Sequence, residues 1–128
     1  MTAASIDPPA TDLVSVTVSG TGPVACVTAA GEVDSTSAPV LRQHLETLLD
    51  GDVREFTVDL GQVTFLDSAG LCVLAAAHRR AVRQDVTMRV LASSRAVIRP
   101  LQITGLWDLL HAEKVEAAPA LPVQQGVA

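Results

Sequence analysis

Glu55-Phe56-Thr57-Val58-Asp59-Leu60, the segment Gly61 to Leu66, and the run Asp67-Ser68-Ala69-Gly70-Leu71 set the architecture of this chain. The first six residues alternate, which puts Phe56, Val58 and Leu60 on one face of a strand. Gly61 to Leu66 breaks the alternation and reads as a connecting loop. From Ser68 the spacing turns helical, with Leu71, Leu74, Ala75, His78 and Val82 on one side. Val86-Thr87-Met88-Arg89-Val90-Leu91 then returns to a β-branched strand. A strand, a helix and a strand in succession imply a parallel pair joined by a right-handed crossover.

Upstream, Leu13-Val14-Ser15-Val16-Thr17-Val18 is a second alternating run, and Gly20-Thr21-Gly22-Pro23 is a turn cluster. Val24 to Ala30 follows as a strand, so these two form a hairpin. Gly31-Glu32-Val33-Asp34 ends it. Ser35, Thr36 and Ser37 offer helix caps, and Pro39 sits in the first turn, where its missing N–H costs nothing. Val40, Leu41, Leu45, Leu48 and Leu49 form the apolar stripe of that helix, with Gly51 as its stop. Downstream, a short helical turn spans Ala96 to Leu101 and a last helix spans Leu106 to Glu113. The order is β-β-α-β-α-β-α. The fold class is α/β, with a sheet made mixed by the opening hairpin.

With 128 residues the chain fits one domain, expected over 13–114, with tails at 1–12 and 115–128. Hydrophobic residues make up 48%, yet there are only two Phe, one Trp and no Tyr, so the core is aliphatic. A net charge of −5 argues against nucleic acid, whose phosphates call for a basic surface. The cluster His78-Arg79-Arg80 with Arg83 closes a helix, where cations complement the dipole. Cys26 and Cys72 lack metal-ligand spacing, and Cys72 reads as a small buried hydrophobe. No metal or other cofactor is expected. No apolar run reaches the ~18 residues of a membrane span, and no export signal opens the chain, so a cytoplasmic location is expected.

Ser68 stands between a strand and a helix, where a serine most often caps. The same place suits a switch. A phosphate would add about −1.5 to −2 charges at a helix N-terminus that tolerates an anion. A partner docked over Leu66, Gly70 and Leu71 would meet that anion beside Asp67. A nucleophile is the weaker alternative: Leu66 stands where the G-x-S-x-G elbow needs glycine, so a small serine hydrolase has little support. No G-x-x-x-x-G-K-[ST] loop is present. Arg95 and Arg99 could bind phosphate but read more readily as solvated side chains, although Arg99, before Pro100, could lie near the partner face.

Three segments resemble the STAS domain family, in particular its stand-alone bacterial anti-sigma factor antagonists. They are Gly31-Glu32-Val33-Asp34-Ser35-Thr36-Ser37-Ala38, Val58 through Leu71, and Ser94-Arg95-Ala96-Val97-Ile98-Arg99 through Thr104-Gly105-Leu106. The resemblance implies a mixed four- to five-stranded sheet with helices mainly on one face. It implies a non-enzymatic regulator whose Ser68 is phosphorylated by an anti-sigma factor with serine kinase activity. The unphosphorylated form would bind that kinase and free a sigma factor, and a phosphatase would reset the switch. Asp34, Ser37, Leu66, Asp67, Ala69, Gly70 and Leu71 would form the partner face. A STAS module of a larger stress-signalling complex is the alternative within the family. Ala69 replaces the second serine of the commoner D-S-S-G form, leaving one local hydroxyl.

Overall fold

The computed structural model describes residues 14–20 and 22–116. Leu13, Thr21, the tail at 1–12 and residues 117–128 lie outside the described residues. The elements are β1 (Val14–Ser19), β2 (Val24–Val33), α1 (Ala38–Asp50), β3 (Glu55–Leu66), α2 (Ser68–Arg83), β4 (Thr87–Ala92), α3 (Arg95–Ile103), α4 (Leu106–Leu109) and β5 (Ala112–Lys114). They form one five-stranded sheet in the order β1-β2-β3-β4-β5. β1 is antiparallel to β2, and every later pairing is parallel.

Register explains how the helices cover the sheet. Ala25 pairs with Phe56 and Phe56 with Met88; Val27 pairs with Val58 and Val58 with Val90. All six are buried, so they form two apolar rows on one face. The alternate positions Thr57, Asp59 and Leu91 stay half-exposed on the other face. Helices therefore seal one side of this part of the sheet. α1 contributes Leu41, Leu45 and Leu49, all buried, and each such side chain stabilises by roughly 1.5–3 kcal/mol. α1 and α2 pack on each other, and α3 packs on β3.

The structure departs from the sequence expectation in several places. Gly31, Glu32 and Val33 continue β2 rather than ending it. Gly61 to Leu66 is not a loop but the second half of a twelve-residue β3. Two register shifts, one between Thr28 and Ala30 and one between Gly31 and Glu32, insert extra residues into β3 opposite β2. Each bulge flips the side-chain phase, so the period-2 signal disappears while the strand goes on. The last helix stops at Leu109 instead of reaching Glu113, because His111 takes a left-handed conformation (φ 53°) and the chain turns into β5.

The buried face of α2 is also rotated. It is Gly70, Val73, Leu74, Ala77 and Ala81, whereas Val82 is 62% exposed. Small residues let α2 lie close to its neighbours, and a pattern weighted toward large side chains misplaces that face. Cys72 is exposed, not buried, because it lies on the outer side of the same helix.

Candidate functional site

The site grows from the paired ends of β2 and β3. Val33 and Leu66 are register partners, and the Asp67 N–H donates to the Val33 carbonyl at 3.2 Å. Asp34 and Asp67 therefore leave the sheet side by side. β4 stops pairing at Leu60–Ala92, six residues before β3 ends. Beyond it two hydroxyls replace the strand ladder: Ser93 Oγ donates to the Gly61 carbonyl at 2.6 Å and Ser94 Oγ to the Val63 carbonyl at 3.2 Å. Asp59 Oδ1 accepts the Gly61 N–H at 2.9 Å, which holds the first bulge. Neither Ser93 nor Ser94 stands out in the sequence as a support for the site, since its partner lies more than thirty residues away in the chain.

Asp34 organises the turn from β2 into α1. Its Oδ1 accepts from the Thr36 hydroxyl (2.7 Å), the Thr36 N–H (2.9 Å) and the Ser37 N–H (3.1 Å). Ser37 is fully buried; its hydroxyl donates to the Glu32 carbonyl at 2.7 Å and accepts the Asp34 N–H at 2.9 Å. The Thr36 hydroxyl, then the Thr36 N–H, with smaller help from Ser37, hold the Asp34 carboxyl below its ordinary 3.8 against a desolvation that opposes them. A lowered carboxylate pKa stabilises the fold above the ordinary value, and that contribution is lost as pH falls through the folded one. Asp34→Asn keeps an acceptor and loses the charge. Its urea midpoint is expected to fall less than that of the native chain between about pH 6 and about pH 3.

Asp67 is the N-cap of α2, its Oδ1 accepting from Ala69 N–H at 2.9 Å and Gly70 N–H at 3.4 Å. That leaves Ser68 as the first helical residue, exposed, with its hydroxyl free of any hydrogen bond among the described residues. Asp67, and not Ser68, does the capping. No histidine is bonded to Ser68 among the described residues; His44 Nδ1 instead donates to its own helix at Val40 O, 2.8 Å away. No group of three His, Cys, Asp or Glu side chains there is placed to hold a metal ion. No described helix is long and apolar enough to cross a membrane.

The expected partner residues divide by exposure. Asp34, Asp67, Ala69 and Leu71 are half-buried and Ser68 is exposed, whereas Ser37, Leu66 and Gly70 are buried. The buried three shape the site from beneath. A Cβ on Gly70 would collide with Leu66 Cδ1 and lie 2.9 Å from Val33 Cγ1. Leu66 and Val33 are themselves buried and cannot swing aside. Gly70→Ala is expected to destabilise by about 1–3 kcal/mol through overpacking, read as a lower urea midpoint with an unchanged slope.

Two grooves flank this point. One, about 420 Å³, lies between α1 and α2 and includes Ser35, Ala69, Cys72 and Arg79. The other, about 750 Å³, lies between the end of β3 and α3; Phe65, Leu66, Pro100 and Ile103 give it an apolar lining, with Arg95 and Arg99 beside them.

The chain is similar to known proteins. The chain is 34% identical over 84 residues to the anti-sigma-B factor antagonist of Bacillus subtilis, covering 66% of this chain and 76% of that protein. It is 32% identical over 97 residues to the anti-sigma-F factor antagonist RsfB of Mycobacterium tuberculosis, covering 76% and 79%. The crystal structure of an anti-sigma factor antagonist from Mycobacterium paratuberculosis superimposes with a TM-score of 0.72 at 30% identity, covering 79% of this chain and 86% of that one. The STAS domain pattern matches residues 15–118, taking in every strand but the first residue of β1 and every helix described above. With its sheet, its paired acidic strand ends and its capped serine segment inside that match, the chain belongs to the STAS domain family.

Proposed function

We propose that this chain is an anti-sigma factor antagonist switched at Ser68. Unphosphorylated, it binds an anti-sigma factor with serine kinase activity and so releases a sigma factor; phosphorylation of Ser68 ends the binding, and a phosphatase restores it. The observation that carries the reading is Ser68 itself, exposed and without a hydrogen bond among the described residues, at the first position of α2 directly after the acidic strand end Asp67. The names of the relatives support the class of partner.

The cap sharpens the chemistry. Asp67 already occupies the N–H groups of Ala69 and Gly70. A phosphate on Ser68 would therefore stand out from the helix, next to a carboxylate, rather than fold back onto those amides. The helix dipole offsets part of the added charge. The domain tolerates the phosphate while an approaching surface meets it. Contact falls to Ser68, Asp34, Asp67, Ala69 and Leu71, with Ser37, Leu66 and Gly70 holding them in place. Such a partner places the protein in the cytoplasm.

The direct test is to incubate the protein with purified anti-sigma kinases and ATP and map phosphate by mass spectrometry. Modification at Ser68 alone is expected. Modification elsewhere, or none with any such kinase, would sink the switch.

A further inference from the structure

The groove between β3 and α3 carries chemistry that the Ser68 switch does not use. Phe65 is 45% exposed and Ile103 77%, an unusual outlay of apolar surface beside a polar switch. Arg95 and Arg99, both exposed, lie one helical turn apart on α3. Neither joins an ion pair among the described residues, and no acidic side chain lines the groove. A chain of net charge −5 thus holds a local positive pole over an apolar floor.

We propose that this groove is a second docking site for the same anti-sigma factor, and that it takes a segment of that protein bearing acidic groups next to apolar anchors. The inference rests on the proposed function. Charge complementarity selects an acidic occupant. The open shape selects a protein segment: a small amphiphile needs most of its surface buried, whereas a protein brings its own cover. Leu66 lines the groove and is followed at once by Asp67 and Ser68, so a partner seated on the switch reaches both.

The consequence is a bipolar face. Asp34 and Asp67 make the pole at the switch negative, and Arg95 and Arg99 make the groove positive. A partner must present the opposite signs in the opposite order, which fixes its orientation and rejects kinases with a different pattern. Phosphorylation of Ser68 acts on the negative pole alone.

The test uses every anti-sigma kinase encoded in the source genome, purified and titrated into the full chain by calorimetry at about 0.05 M and about 0.3 M salt. For the kinase that phosphorylates Ser68, the double variant Arg95→Glu/Arg99→Glu is expected to bind at least about tenfold more weakly at low salt, with a shallower salt dependence. Ile103→Ser is expected to bind roughly fivefold more weakly at both salts. These variants should keep the native circular dichroism: Arg95 opens α3, where glutamate suits the dipole, and Arg99 and Ile103 are exposed. Arg95→Gln/Arg99→Gln gives a milder loss in the same direction and serves if the reversed pair unfolds. If that kinase binds all the variants within twofold of the native chain, the groove is not a docking site and the switch stands. If no kinase binds the native chain or modifies Ser68, the proposed function falls and the groove's role with it.

Discussion

Ser68→Asp is expected to weaken binding of the anti-sigma factor by roughly 100-fold, whereas Ser68→Ala binds as the native chain does. The alanine variant loses a hydroxyl that no described residue bonds, at a helical position where alanine is the best former. The aspartate variant puts one added negative charge beside the Asp67 carboxylate, near the Asp34 turn on the next strand. For the isolated domain that charge is benign, because the first turn of α2 favours anions. For a complex it is costly, since the partner must bury or face one more charge than its surface is matched to. A true phosphate, at about −1.5 to −2 charges, should act more strongly still. Calorimetric titration of the three proteins, with thermal melts alongside, separates the two levels. Equal affinity of the aspartate variant would refute the electrostatic switch. A lost circular dichroism signal would instead show that α2 does not tolerate the charge.

What the sequence discloses about this site depends on the range of each interaction. Asp67-Ser68-Ala69-Gly70 is legible because a cap acts on N–H groups two and three residues ahead. Phe56, Val58 and Leu60 are legible because alternation is local. The second half of β3 is not, since its two bulges erase the alternation while pairing with β2 keeps the strand extended. The same holds for Ser93 and Ser94, whose hydroxyls serve carbonyls of another strand. Gly70 shows the limit most plainly. Its neighbourhood in the motif suggests contact with a partner, but its role is set by Val33, thirty-seven positions away in the chain and pressed against the place a Cβ would fill. β5 escapes because three residues after a four-residue helix offer no period at all.

Phe56→Ala is expected to be the most destabilising single truncation, at about 3–5 kcal/mol. Phe56 has no exposed surface and is the bulkiest fully buried side chain. Its register neighbours on the same face are Ala25, which is small, and Met88. Truncation would set alanine beside alanine, and a core of Val, Leu and Ala has nothing long enough to fill the space except Met88. A loss of that size is a large part of the ~5–15 kcal/mol that holds a domain together. It should appear as a drop in Tm of well over 10 °C, at about 4–8 °C per kcal/mol. Phe56→Leu should recover most of it. The partner site should not notice. Phe56 lies ten residues before Leu66 along β3, about 30 Å by strand geometry. The folded fraction of Phe56→Ala, titrated well below its Tm, is therefore expected to bind the anti-sigma factor with native affinity. A matching loss of affinity would show that the two ends of β3 are coupled, and that the site is held by the whole sheet rather than by the Asp34 turn, the Asp67 cap and the clasp of Ser93 and Ser94.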